Sequence, residues 1–105
     1  MPASTRSERK NQLANAFRAL ADPNRLAIFQ LVCERGAQGQ SEDAGNTVSR
    51  LAAEFDLTLS TVSHHLRELK NAGLIRCEKV GQSVHCVPAV DLLEDVERFL
   101  EELKQ

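Results

Sequence analysis

The stretch over residues 51–73, LAAEFDLTLSTVSHHLRELKNAG, constrains this chain more than any other. Val48, Leu51, Ala52 and Phe55 share one face of a short helix over 48–55 that Thr47 can cap. Thr58 can cap a second helix from Leu59 to Ala72, and Gly73 suits the left-handed position that stops it. Only a tight turn is left between them. Two short helices so joined, the second with polar and basic groups turned outward, have helix-turn-helix geometry.

The flanking sequence supplies the frame for that pair. Residues 1–6 read as a disordered tail, and 7–105 as a single domain, which is what a chain of 105 residues accommodates. Leu13, Phe17 and Leu20 recur at helical spacing, which predicts an amphipathic helix over 7–21. Asp22-Pro23 ends that helix and starts the next, because a residue before proline leaves the helical region while Asp caps and Pro fits the first turn. The second helix is predicted over 23–35, and Leu26, Ile28, Phe29, Leu31, Val32 and Cys33 surround most of its circumference, as in a central buried helix. The polar segment 36–45 holds three of the five glycines and reads as the long loop. From Leu74 to Pro88, Gly81-Gln82 separates two β-leaning runs, predicting a hairpin. A last helix over 90–104 carries Leu93, Val96, Leu100 and Leu103 in a narrow stripe that calls for a partner helix. The fold class is therefore mainly α with a small β-hairpin, five helices in all.

A net charge of −2 argues against a nucleic-acid partner only until it is resolved along the chain. Residues 58–87 carry four basic and two acidic groups, whereas 88–105 carry two and six, so an acidic end hides a locally positive reading unit. No run approaches the roughly 20 apolar residues of a membrane span, and Met1 to Lys10 is too polar for a secretory signal, so no membrane partner and a cytoplasmic location are expected. Three widely spaced cysteines, none in a Cys-x-x-Cys pair, read as reduced thiols and not as a disulfide framework.

Steps of about 100° along the helix after Thr58 gather Val62, Leu66 and Leu69 inward and send Ser60, His64, Arg67 and Asn71 outward. Thr61 falls at the edge of that outward face and Ser63 on its other flank. The first turn and a half of such a helix reaches base edges in a major groove, which makes Ser60, Thr61, Ser63, His64 and Arg67 the candidate readers, Arg67 for guanine or phosphate. Free backbone N–H groups near Thr58 to Thr61 suit a phosphate oxygen. An ordinary solvated helix face has the same composition. His65 sits near the apolar side and reads as packed and hydrogen-bonded. In the hairpin, Arg76 and Lys79 are placed to straddle a phosphate backbone and Gln82 to touch DNA from the tip; a charge-protected edge strand is the competing account.

Taken in order, Ala19–Ile28 (ALADPNRLAI), Leu51–Phe55, Ser60–Ile75 and Val80–His85 (VGQSVH) resemble the winged helix-turn-helix repressors of the ArsR/SmtB family, over nearly the whole chain from Ser7. The resemblance implies a homodimer held by the first and last helices, with Leu13, Phe17, Leu93, Val96, Leu100 and Leu103 at the interface. It further implies a double-stranded DNA operator bound through the fourth helix and the wing, and repression relieved by an inducer. The family's metal box places two cysteines ahead of the third helix, where this chain has Thr47 and Ser49. Hydroxyls do not replace thiolates for thiophilic ions. Its other metal site uses an Asp and histidines on the last helix, where Asp91 stands with no histidine. No metal ligand set and no cofactor are evident.

With the wing turn centred on Gly81-Gln82, counting outward pairs Cys77 with Cys86 across the hairpin, the arrangement of a thiol-redox or metalloid switch; a turn shifted by one residue breaks it, and three buried apolar thiols are the plainer account. Catalysis is not expected. His85 and Cys86 are strand neighbours on opposite faces, His64 and His65 diverge by about 100°, and there is no phosphate loop or paired carboxylate. The rival to a DNA-binding regulator is a winged-helix dimer that binds proteins through its acidic last helix.

Overall fold

A computed structural model describes residues 6–36 and 45–105. The order is α1 (Arg6–Ala19), α2 (Pro23–Arg35), α3 (Val48–Phe55), α4 (Leu59–Asn71), β1 (Ile75–Val80), β2 (Ser83–Pro88) and α5 (Val90–Leu103). The loop predicted over 36–45 lies outside the described residues except at Gly36 and Gly45, as does the tail over 1–5.

Local chemistry sets most of these boundaries. Asp22, Thr47 and Thr58 have extended backbones, and their side chains accept the N–H of Arg25, Arg50 and Thr61, so three successive helices start on capping side chains. α1 differs from its predicted span at both ends. Arg6 is already helical, which removes it from the tail, and the helix closes at Ala19. Leu20 and Ala21 form a tightened last turn, their N–H groups donating to Ala16 O at 3.1 Å and Arg18 O at 3.2 Å. The end of α3 has no glycine. There Asp56 takes the left-handed conformation (φ 53°), and the Leu57 N–H reaches back to Ala52 O at 3.0 Å. That reversal is the turn between α3 and α4.

The core gathers Ala16, Ile28, Phe29, Val32, Leu51, Val62, Leu66, Leu69, Leu74 and Ile75, with Cys86 at its edge. α4 packs on α1, α2, α3 and β1, and α2 also packs on β2. Two expectations about helix faces are corrected. Leu26 is 47% exposed, so α2 fully buries only Ile28, Phe29 and Val32, with Leu31 and Cys33 half-buried against the core, instead of most of its circumference. In α1 the buried stripe is Leu13, Ala16 and Ala19, and Phe17 is turned outward, its ring tilted against Phe99 of α5 at 6.1 Å. The two small alanines let α1 approach closely where a stripe of larger side chains stands off.

The wing is a two-stranded antiparallel sheet whose pairs run from Ile75↔Pro88 to Val80↔Ser83. Gly81 supplies the positive φ (61°) that a two-residue hairpin turn needs at its first central position. Behind the wing, buried Asn46 donates through Nδ2 to Val32 O and Cys86 O, both at 3.3 Å, and its carbonyl accepts the Cys86 N–H at 3.0 Å, tying α2 to β2. A Cβ at Gly45 would lie 2.3 Å from Nδ1 of His85, so only glycine fits over that buried ring.

Candidate nucleic-acid interface

α4 is held from behind. Val62, His65, Leu66 and Leu69 are buried, and His65 accepts a hydrogen bond at Nδ1 from Arg25 Nε (3.4 Å). Arg25 also donates through Nη1 to Ala19 O, the last residue of α1, at 3.1 Å. One guanidinium thus joins α1, α2 and the back of α4. Sequence reasoning foresaw a packed His65 and missed Arg25, whose reach across 40 residues leaves no local signal. Burial pushes the His65 imidazole below its ordinary 6.5, opposed in part by the Asp22 carboxylate.

With that face fixed inward, Ser60, His64, Arg67 and Asn71 are exposed on the other side, as the angular arithmetic predicts. The remaining candidates divide by environment. Thr58 and Thr61 are bonded to each other: Thr58 Oγ1 donates to Thr61 Oγ1 at 2.8 Å and accepts the Thr61 N–H at 3.1 Å, so the pair first serves the cap. Ser63 is half-buried and faces the wing, where it lines a cavity of about 210 Å³ with Arg67, Lys70 and Val84. Two exposed groups were not foreseen. Lys70 lies one turn beyond Arg67 on the same flank, and Leu59, 57% exposed at the start of α4, presents a methyl-bearing surface of the kind that meets thymine.

The wing corrects one placement. Arg76 and Lys79 are three residues apart, and the pleat sends them to opposite faces. Lys79 shares its face with Cys77, Val84 and Cys86, the latter three lining the cavity against α4, whereas Arg76 points the other way and pairs with Glu78 at 3.4 Å. The two therefore do not straddle one phosphate strand together, and Lys79 is the wing cation on the side of the reading helix. Gln82 is exposed at the tip. The register sets Cys77 opposite Cys86, as counting from the turn predicts.

The residues that the resemblance places at a dimer interface lie on α1 and α5 and differ in exposure. Leu13 is buried within one chain at 7% exposure, and Leu93 and Val96 are half-buried, Leu93 against the core. Phe17 (39%), Leu100 (47%) and Leu103 (65%) stand open, and no residue of α5 is buried.

Thr47 and Ser49, at the start of α3, do not fit a thiophilic metal. Thr47 Oγ1 is engaged as the cap of α3, accepting the Arg50 N–H at 3.2 Å, and lies 3.5 Å from Ser49 Oγ, so the position offers two hydroxyls. No helix among the described residues is long and apolar enough to cross a membrane.

An assembly of reading helix, supporting helices and wing defines a winged helix-turn-helix DNA-binding protein, and comparison with known proteins agrees. The family model described as a helix-turn-helix domain matches residues 20–78. The arsenical resistance operon repressor of Bacillus subtilis is 36% identical over 77 residues, 73% of this chain and 66% of that protein. A crystal structure of an ArsR family transcriptional regulator superposes with a TM-score of 0.71 at 34% identity, covering 90% of this chain and 89% of that one. A homodimeric winged helix-turn-helix DNA-binding domain from Mycobacterium bovis shares the fold, with a TM-score of 0.68 at 24% identity over 99% of this chain and 87% of that one. This chain belongs to the ArsR family of helix-turn-helix transcriptional regulators, a family of DNA-binding proteins and not of enzymes.

Proposed function

We propose that the chain is a dimeric repressor that reads a two-fold operator through α4 and the wing and leaves it when an inducer acts. The observation that carries this reading is the division of α4. Its buried side is locked to three helices, while Ser60, His64 and Arg67 are exposed on the outer face, with Lys70 on the same helix and Lys79 on the wing face turned toward it. Rigid placement of a few polar groups is what base readout requires, and the flanking cations supply phosphate contacts. Support for the dimer comes from α5, whose Leu100 and Leu103 stand exposed among the described residues, and from the homodimeric Mycobacterium bovis domain of the same fold. Such a regulator acts with the chromosome, in the cytoplasm. Its inducer is not a thiophilic ion bound at Thr47 and Ser49, whose hydroxyls do not suit one.

Selection of duplexes from random DNA at moderate salt tests the reading. One preferred two-fold sequence should emerge, with affinity falling steeply as salt rises and Arg67→Ala costing about 1–3 kcal/mol. A protein that enriches no duplex, or whose affinity ignores Arg67, is not this repressor.

A further inference from the structure

The hairpin register brings two thiols together beside the reading helix. The rung nearest a two-residue turn, Val80↔Ser83, is hydrogen-bonded, and rungs alternate, which makes Cys77↔Cys86 a non-hydrogen-bonded rung. The Cys86 N–H agrees, since it donates away from the hairpin to Asn46 O. At such a rung the Cα atoms lie about 4.5 Å apart, at the short end of the 4.4–6.8 Å that a disulfide spans. A bond there closes with little backbone movement, yet it is strained, and strained disulfides are the readily reduced, regulatory kind.

The surroundings add access and leverage. Cys77 is exposed and Cys86 is 4% exposed, and both thiols line the cavity that Ser63, Leu66, Arg67 and Lys70 of α4 close from the other side. Burial, with the neighbouring Cys77 adding to it, pushes the Cys86 thiol up to about 12 and keeps it protonated. The exposed partner is therefore the one an oxidant reaches first, and the buried one follows.

We propose that Cys77 and Cys86 close a reversible disulfide when a hydroperoxide reaches the wing, and that this bond weakens DNA binding by the α4 and wing face. The effect on DNA rests on the repressor reading above. The Cys77 thiolate attacks the terminal peroxide oxygen, the O–O bond breaks, and the alkoxide or hydroxide leaves as alcohol or water after taking a proton. Cys77 is then a sulfenic acid. The Cys86 sulfur attacks the Cys77 sulfur, the S–O bond breaks, and hydroxide departs as water with the Cys86 proton. Two thiols lose two electrons and the peroxide gains them; a dithiol reductant reverses the change by exchange. Because the turn at the wing tip lies four residues beyond this rung, a changed twist at 77–86 is magnified at Lys79 and Gln82 relative to Arg67.

The test uses the full chain carrying Cys33→Ser, so that the wing pair are its only thiols. Treatment of the reduced protein with stoichiometric hydrogen peroxide should yield a peptide linked through Cys77 and Cys86 by mass spectrometry. Affinity for the selected duplex should fall about tenfold and return with dithiothreitol. Cys77→Ser, at an exposed position, should bind DNA with unchanged affinity and ignore peroxide, and Cys86→Ala serves as the second variant. Absence of the linked peptide overturns the inference and leaves the repressor reading standing. A linked peptide with unchanged affinity overturns the switch. A reduced protein that selects no duplex overturns both.

Discussion

Asp56 and His65 carry the most testable energetics at the residue scale. Asp56 adopts a left-handed backbone that costs most side chains about 1–2 kcal/mol and glycine almost nothing. Asp56→Gly should therefore raise stability by about 0.5 kcal/mol, and Asp56→Val should lower it by about 1–2 kcal/mol, in urea melts. Equal effects of opposite residues would mean that the turn does not depend on this conformation. For His65, folding favours the neutral imidazole, because burial lowers its affinity for a proton. As pH falls through 6.5 the unfolded chain binds protons first, so stability declines below that point and is flat with respect to this group above it. His65→Gln should remove that part of the slope, read as the difference between unfolding midpoints above and below 6.5.

Elements were legible in the sequence wherever a local signal fixed them. Asp22, Thr47, Thr58, Gly73 and Gly81 each act on atoms within a few residues, and the helix starts and hairpin they predict recur in the structure. The inward and outward division of α4 was readable for the same reason, since the helical period alone assigns faces. What stayed hidden depends on distant neighbours. Whether Leu13 or Phe17 is covered is decided by how closely the small Ala16 and Ala19 bring α1 to α4, which no period encodes. Arg76 and Lys79 were grouped by charge, although strand parity, itself readable, separates them. Lys70 escaped notice because it lies off the outward arc and gains meaning only from the wing folded beside it.

Among the described residues, five of the seven large apolar side chains that stand exposed fall at two poles, Leu26 of α2 and Val90 at the start of α5 being the others. Leu59 and Val84 stand with α4 and the wing, and Phe17, Leu100 and Leu103 with α1 and α5. The second group is the pole that the proposed pairing would cover. Leu100→Glu with Leu103→Glu should leave the single chain folded, since both side chains are exposed within it, and should convert the protein to monomers in sedimentation equilibrium. Binding to the two-fold duplex should fall with it, because each monomer then engages one half-site. A double variant that stays dimeric places the interface elsewhere.

Arg25 gives this division a mechanical meaning. Its guanidinium hangs from the end of the helix that borders the pairing pole and grips the ring behind the reading face, one residue from His64 on the outer surface. The chain thus behaves as a bell crank: a rotation of α1 about its own axis has a stiff polar linkage through which to change the pitch of the letters that α4 presents.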